Sequence, residues 1–509
     1  MLYKPKTGAM WDPSALWHDG KYHVFMMYDK EGERGLDAEY CFLASSTDGV
    51  HWRDEGIVVE ERERARGAKF FKMFVSRCGD RFVMDHGVLR PEGQDTLRFY
   101  ESRDLKKWNY LFSNRPDPKW YVSEGRWDHM YILPKTEGEP KAGYFGYVVA
   151  TPKPGLPSGL GMMQSVDGAD WEILPPPEIE WGDTPQRGLE YGGCERIGGK
   201  YCLIGGTGDY MGNKGYSMFT LVGDGPRGPF RPDVEAYRLC GATSKNVTWL
   251  AAWARGKDEL LVSNYASLES GTWMLPLRKP VVDKDGHLRL GWWAGNEALK
   301  GKPLAISEKR IALTARGGTL YGIAYLANAF DLDTGVVLEG RIQAPVSPPQ
   351  EATGENAPDA KPGAGFVVDE GAGQAMAILF GVGKPEGRES HIGSMTADVN
   401  GKMTFRSLDV TGKGCATVTG IERDKEHAFR LLLRLDAVEL YVDDMLVQTY
   451  VYAPGSGKVG FLARNADAVF SNLKAWDMSL LSDGPKPETR PPCAPESAGR
   501  EDRRGETSS

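Results

Sequence analysis

The run from His18 to Tyr28, HDGKYHVFMMY, is a two-residue Asp-Gly turn followed by an apolar strand, and its recurrence along the chain decides the fold. Asp-Gly tolerates the positive backbone angles of a tight turn, and the residues after it have the aromatic and aliphatic character of a buried strand. The unit returns as CGDRFVMDHGV (78–88), KAGYFGYVVAT (141–151), IGGKYCLIGG (197–206) and ARGKDELLVSNY (254–265). The first ring or apolar position after each turn falls at Tyr22, Phe82, Tyr144, Tyr201 and Leu260, at intervals of 60, 62, 57 and 59 residues. A second motif keeps step: SSTDGVHW ends at Trp52, ESRDLKKW at Trp108 and QSVDGADW at Trp171. Each of these reads as a strand, a tight turn and a Trp-capped return. Repeats of this length match four-stranded units, and five in register predict a five-bladed β-propeller over residues 8–295.

Past GWWAGNEAL the pattern changes. Residues 296–334 read as a connector with a last strand pair, KRIALTAR and LYGIAYL. From 335 to 481 short alternating strands return, among them GVVLEGRIQA, QAMAILFGV and HAFRLLLRLDAVELYVDDMLVQTYVY, and they predict a β-sandwich. A Pro/Gly/Ala-rich loop lies within it at 343–365, and residues 482–509 have too little apolar content to fold, which predicts a disordered tail. The expected fold class is all-β, with a propeller over 1–295 followed by a sandwich.

The 509 residues include 41% hydrophobic and 26% charged side chains, an ordinary globular balance, with a net charge of −8 that argues against a nucleic-acid-binding face. No apolar run reaches the length of a membrane span. The N-terminus lacks the charged-then-apolar layout of a signal peptide, so the expected location is cytoplasmic, or secreted if a signal precedes this sequence. Seven cysteines and eight histidines are scattered without metal-ligand spacing, so reduced thiols are expected and neither metal nor cofactor is implied. Many glycines (63), tryptophans (14) and tyrosines (21) suit an all-β protein that binds something flat and polar, such as a sugar.

Propellers hold ligands at the mouth of the central channel, where the first strands of the blades converge. Three acids fall on sequence that reads as such strands: Asp12 in MWDPS, Asp128 in GRWDHMYIL and Glu190 in RGLEYGGCERIGGKY. They precede the ring position of their repeat by 10, 16 and 11 residues, one acid from each of three blades. Glycosidic bond cleavage needs an acid to protonate the leaving oxygen and a second carboxylate on the opposite face. Asp85 in VMDHGV is a rival for the third place. Trp11, Arg126, Trp127, Tyr191 and Asp85 are the candidate sugar contacts, although strand alternation turns the aromatic neighbours of the acids to the opposite face, and core packing is the stronger expectation for Trp127. His86 and His129 read as structural, and Asp443 and Asp444 as a hairpin turn.

This constellation resembles glycoside hydrolase family 32, and its relatives in families 68, 43 and 62. WDPS (11–14) looks like the family's Asp-Pro motif, RWDH (126–129) like its Arg-Asp-Pro motif with one residue inserted and His129 for proline, and EYGGCERIGGKY (190–201) like its Glu-Cys-Pro motif without the Cys-Pro. RLDAVELYVDDMLVQTYVY (434–452) resembles a strand pair of the family's sandwich. The asparagines and glycine of the first motif are replaced, as Trp11, Ser14 and Ala15 show. The resemblance implies a furanosidase without cofactor in which Asp12 is the nucleophile, Glu190 the acid/base and Asp128 the transition-state stabiliser. An inverting family 43-like arabinofuranosidase with Asp12 as general base stays open. So does a non-catalytic carbohydrate-binding propeller. A sialidase is less compatible, because its repeat places the glycine differently and six periods are expected. The implied partner is a carbohydrate, with no nucleic acid or membrane, and self-association through the sandwich stays open.

Overall fold

The computed structural model describes residues 2–480 apart from 33–37, 137–142, 158, 184–189, 209–215, 241–250, 316–319, 346–361, 383–389, 398–402, 412–415, 419 and 454. The expected tail and most of the 343–365 loop lie outside the described residues. Five four-stranded antiparallel arrays stand around one axis, each opened by an inner strand: Ala9–His18, Lys69–Cys78, Trp127–Pro134, Glu190–Ile197 and Ala252–Arg255. The repeat that opens the sequence supplies the second strand every time, at Lys21–Asp29, Arg81–Leu89, Tyr144–Ala150, Lys200–Gly208 and Leu260–Ser263. In blades one and four the connecting turn places Asp19-Gly20 and Gly198-Gly199 at positive φ, the hairpin geometry that matches strand twist. Blade five pairs in parallel with blade one through Leu16 and Arg255, which closes the ring.

The Trp-terminated motif is one turn built three times between third and fourth strands. In blade one, Gly49 N–H donates to Ser46 Oγ at 2.8 Å, and Asp48 Oδ1 accepts from Val50 and His51 N–H, each at 2.9 Å. The Trp52 indole N–H returns to Gly49 O at 3.1 Å. Ser102, Asp104 and Trp108 repeat it in blade two, and Ser165, Asp167 and Trp171 in blade three. The turn needs one left-handed residue, Gly49 (φ 79°) or Gly168 (φ 81°); blade two fills it with Leu105 (φ 64°), at a steric cost that glycine avoids.

Beyond the propeller two sheets face each other. One runs from Asp467–Met478 through Val336–Gln343, Glu426–Arg434 and Ala437–Val442 to Met445–Val451; the other includes Lys458–Arg464, Gly363–Gly371 and Gln374–Val382. Phe366, Phe429, Phe461 and Phe470 meet between them. The strands expected to pair within the connector do not pair with each other. Arg310–Thr314 joins the first sheet beside Asp467–Met478, and Tyr321–Ala329 joins the second beside Lys458–Arg464. Ile311, Leu313 and Leu326 bury their side chains in the sandwich core, which neither strand could do as an isolated hairpin. Asp443 and Asp444 form the hairpin turn expected of them, both at positive φ.

Propeller and sandwich meet around fully buried Arg278, which pairs with Glu439 and donates to Asn264 Oδ1 at 2.6 Å and Thr449 Oγ1 at 3.0 Å. The five described cysteines are free and buried. No helix among the described residues is long and apolar enough to cross a membrane.

Candidate active site

Among the described residues, four of the five inner strands break register near their N-terminal ends. Asp12 and Pro13 stand opposite Met26 alone; Lys72 is the extra residue between Phe71 and Met73; Asp128 and His129 stand opposite Val149; Gly192 is extra between Tyr191 and Gly193. A bulge re-aims side chains that regular alternation would send into the blade packing. Asp12 (φ 46°) and Lys72 (φ 40°) adopt the left-handed region that only glycine occupies freely, a strain of about 1–3 kcal/mol each that clusters at functional sites. Asp128 leans into the space beside Gly87, where an added Cβ would come within 2.4 Å of the Asp128 Cβ.

Arg126, just ahead of its strand, ties two of the acids together. Its Nε donates to Asp128 Oδ2 at 2.8 Å, while Nη1 and Nη2 donate to Glu190 Oε1 and Oε2 at 2.8 and 3.0 Å. The Arg126 guanidinium lies 5.5 Å from the Phe71 ring. On the other side of Asp128, His129 Nδ1 is 2.7 Å from Oδ1, and His129 Nε2 is 3.1 Å from the Tyr191 carbonyl oxygen. Burial alone would raise the Asp128 pKa; the Arg126 charge and the His129 contact outweigh it and hold the carboxyl below the usual range. For Arg126, burial works against the charge, and Asp128 and Glu190 more than offset it, so its pKa stands above the ordinary value.

Asp12 is buried and has a separate pair of donors. The Tyr265 hydroxyl donates to Oδ1, and Lys72 Nζ lies 3.5 Å from the same oxygen. Both contacts fall on Oδ1, leaving Oδ2 without a donor among the described residues. Trp11 packs edge-on against the Tyr265 ring at 5.3 Å and thereby steadies the hydroxyl. Lys72 is 5.2 Å from the Phe74 ring, which is 5.7 Å from the His129 ring, so the Asp12 and Asp128 sides share one wall.

No family model matches the sequence. A 69-residue stretch is 38% identical to a probable sucrose-6-phosphate hydrolase of Psychromonas ingrahamii, and this match spans 14% of the chain and 13% of that protein. The fold is matched over nearly its whole length. A sucrose-6-phosphate hydrolase from Lactobacillus gasseri superimposes with a TM-score of 0.64 at 12% identity, covering 93% of this chain and 91% of the other. Fructan 1-exohydrolase IIa from Cichorium intybus gives 0.67 at 13%, covering 94% and 96%, and the Bombyx mori GH32 β-fructofuranosidase gives 0.59 at 13%, covering 93% and 92%. The chain has the family 32 glycoside hydrolase fold.

Within that family 32 fold the candidate residues separate. Asp12, Asp128, Glu190 and Arg126 gather at one end of the inner strands. Three expected sugar contacts are placed elsewhere. Trp127 is fully buried, its indole N–H donating to Asn114 Oδ1 at 2.9 Å and its ring packed on Tyr121. Tyr191 is buried in the packing between blades three and four. In both cases strand alternation sends the neighbour of an acid to the opposite face. Asp85 has no exposed surface and sits on a second strand, where its Oδ1 accepts the Met130 N–H at 2.6 Å. That N–H adjoins the Asp128–His129 bulge, so Asp85 braces the bulge and does not face the axis. Trp11 is half-buried, with its ring edge-on to Tyr265.

Two residues escaped the sequence reading. Lys72 sits within KFFKMFV, and a lysine inside an apolar inner strand demands a buried partner. Tyr265 closes the fifth repeat unit but carries no local sign of its contact. Asp128, His129 and Glu190 also bring ligand atoms within 4.8 Å of one another. The Arg126 fork already spans both carboxylates and supplies the positive charge that a cation would bring.

Proposed function

We propose that the protein hydrolyses furanosidic linkages of the fructofuranosyl type by a retaining double displacement. The observation that carries this reading is Asp12, anchored through Oδ1 by Tyr265 and Lys72, with no donor on Oδ2 among the described residues, on the same wall as the Arg126-linked pair of Asp128 and Glu190. Asp12 Oδ2 attacks the anomeric carbon as Glu190 passes its proton to the leaving oxygen. Asp128, fully buried behind Arg126 and held ionised by it, steadies the positive charge that develops on the ring. Water then attacks the same carbon, Glu190 takes its proton, and the bond to Asp12 breaks. Glu190 has both oxygens on Arg126, so substrate entry must displace one of those bonds before the proton can be delivered.

The test is the stereochemistry of transfer to methanol from a fructofuranoside. A methyl furanoside of unchanged anomeric configuration is the expected product. An inverted product would replace this reading with single displacement, in which Asp12 activates water.

A further inference from the structure

Of the four inner-strand bulges among the described residues, three belong to blades that supply the carboxylates, and the fourth presents Lys72. Its side chain is 2% exposed, its backbone holds φ 40°, and its amine meets Asp12 Oδ1 at 3.5 Å. A solvent-facing lysine needs neither that burial nor that backbone. From this placement we propose that Lys72 is a positioning residue that governs the release of Asp12 from the glycosyl-enzyme, an inference that rests on the retaining reading above.

The charge on Asp12 changes from stage to stage, and with it the pull of Lys72. Before the first step Asp12 is a carboxylate and attracts the Lys72 ammonium. In the glycosyl-enzyme Asp12 Oδ2 is bonded to the anomeric carbon, the group is a neutral ester, and most of that attraction is gone. In the second step water attacks the anomeric carbon, its proton goes to Glu190, the C–Oδ2 bond breaks, and the electron pair returns to Asp12 beside Lys72. The cation therefore opposes formation of the intermediate and assists its breakdown, an interaction that differs between ground and transition states with opposite sign in the two steps. The Tyr265 hydroxyl, also on Oδ1, holds the carboxylate in place by a neutral donor and continues to do so when Lys72 is replaced.

An aryl furanoside with a nitrophenolate leaving group separates the steps, because kcat/KM reports formation of the intermediate and kcat its breakdown. Lys72→Met, close in length and apolar, is expected to lower kcat about tenfold, the loss of one charge-assisted contact, while kcat/KM is unchanged or raised. Rapid mixing is expected to show a nitrophenol burst equal to the enzyme concentration. Lys72→Gln, which keeps a donor without the charge, is expected to show the same split, and Lys72→Arg to restore kcat. Equal losses in kcat and kcat/KM without a burst in both neutral variants would overturn the proposal while methanol transfer still gave retention. An inverted methanol product would overturn the retaining reading and this proposal together.

Discussion

Arg126 donates to both carboxylate oxygens of Glu190, at 2.8 and 3.0 Å, and to Asp128 through Nε at 2.8 Å. One guanidinium thus sets the spacing of two acids from adjacent blades. Its planar fork is what makes this possible, and a lysine ammonium cannot reproduce it. Arg126→Lys is expected to lose most activity while the thermal unfolding midpoint moves little, checked by kinetics and calorimetry on the same preparation.

Glu190→Gln removes the proton donor and keeps the shape of its side chain. On a natural linkage kcat is expected to fall about 10²–10⁴-fold, the usual worth of a positioned acid. On a nitrophenyl furanoside, whose leaving group needs little protonation, the loss is expected to be much smaller. Equal losses on both substrates would assign the acid to another group.

Asp85 and Asp128 are neighbouring carboxyls with opposite tendencies. Burial, with the Asp128 charge adding to it, raises the Asp85 pKa well above the ordinary carboxylate value. The native state thus keeps a proton on Asp85 that the unfolded chain releases near pH 4, so stability falls as pH rises from there toward the folded pKa. Asp85→Asn keeps an oxygen for the Met130 N–H and removes this slope. Unfolding midpoints measured between pH 4 and 8 are expected to fall less with rising pH in Asp85→Asn than in wild type.

At the junction with the sandwich, Arg278 and Glu439 are both fully buried. Glu439→Leu leaves an uncompensated guanidinium and is expected to destabilise by about 3–5 kcal/mol in chemical denaturation. Replacing both partners by apolar residues of similar volume is expected to recover much of that loss.

The propeller was legible because its repeat is local: a two-residue turn and an apolar strand announce the second strand of every blade, and Asp48, Asp104 and Asp167 announce the turns. Asp12, Asp128 and Glu190 were legible as acids on inner strands, and alternation anticipated that Trp127 turns away. Alternation applies equally to Tyr191, whose side chain is also buried. Lys72 was hidden because its partner lies 60 residues away in another blade, and Tyr265 because its partner is 253 residues away. Asp85 was misplaced because a carboxylate in VMDHGV looks the same whether it faces the channel or braces a neighbouring bulge. The connector strands were paired with each other on proximity alone, when the apolar faces of Ile311 and Leu326 belong to a core built mainly from later residues.

The most direct test of the three-acid account is hydrolysis of sucrose, inulin, levan and nitrophenyl arabinofuranosides by wild type, Asp12→Asn and Glu190→Gln. The account predicts release of fructose from at least one fructofuranoside by wild type, abolished by Asp12→Asn and strongly reduced by Glu190→Gln. Turnover that survives Asp12→Asn, or activity confined to the arabinofuranosides, would contradict it.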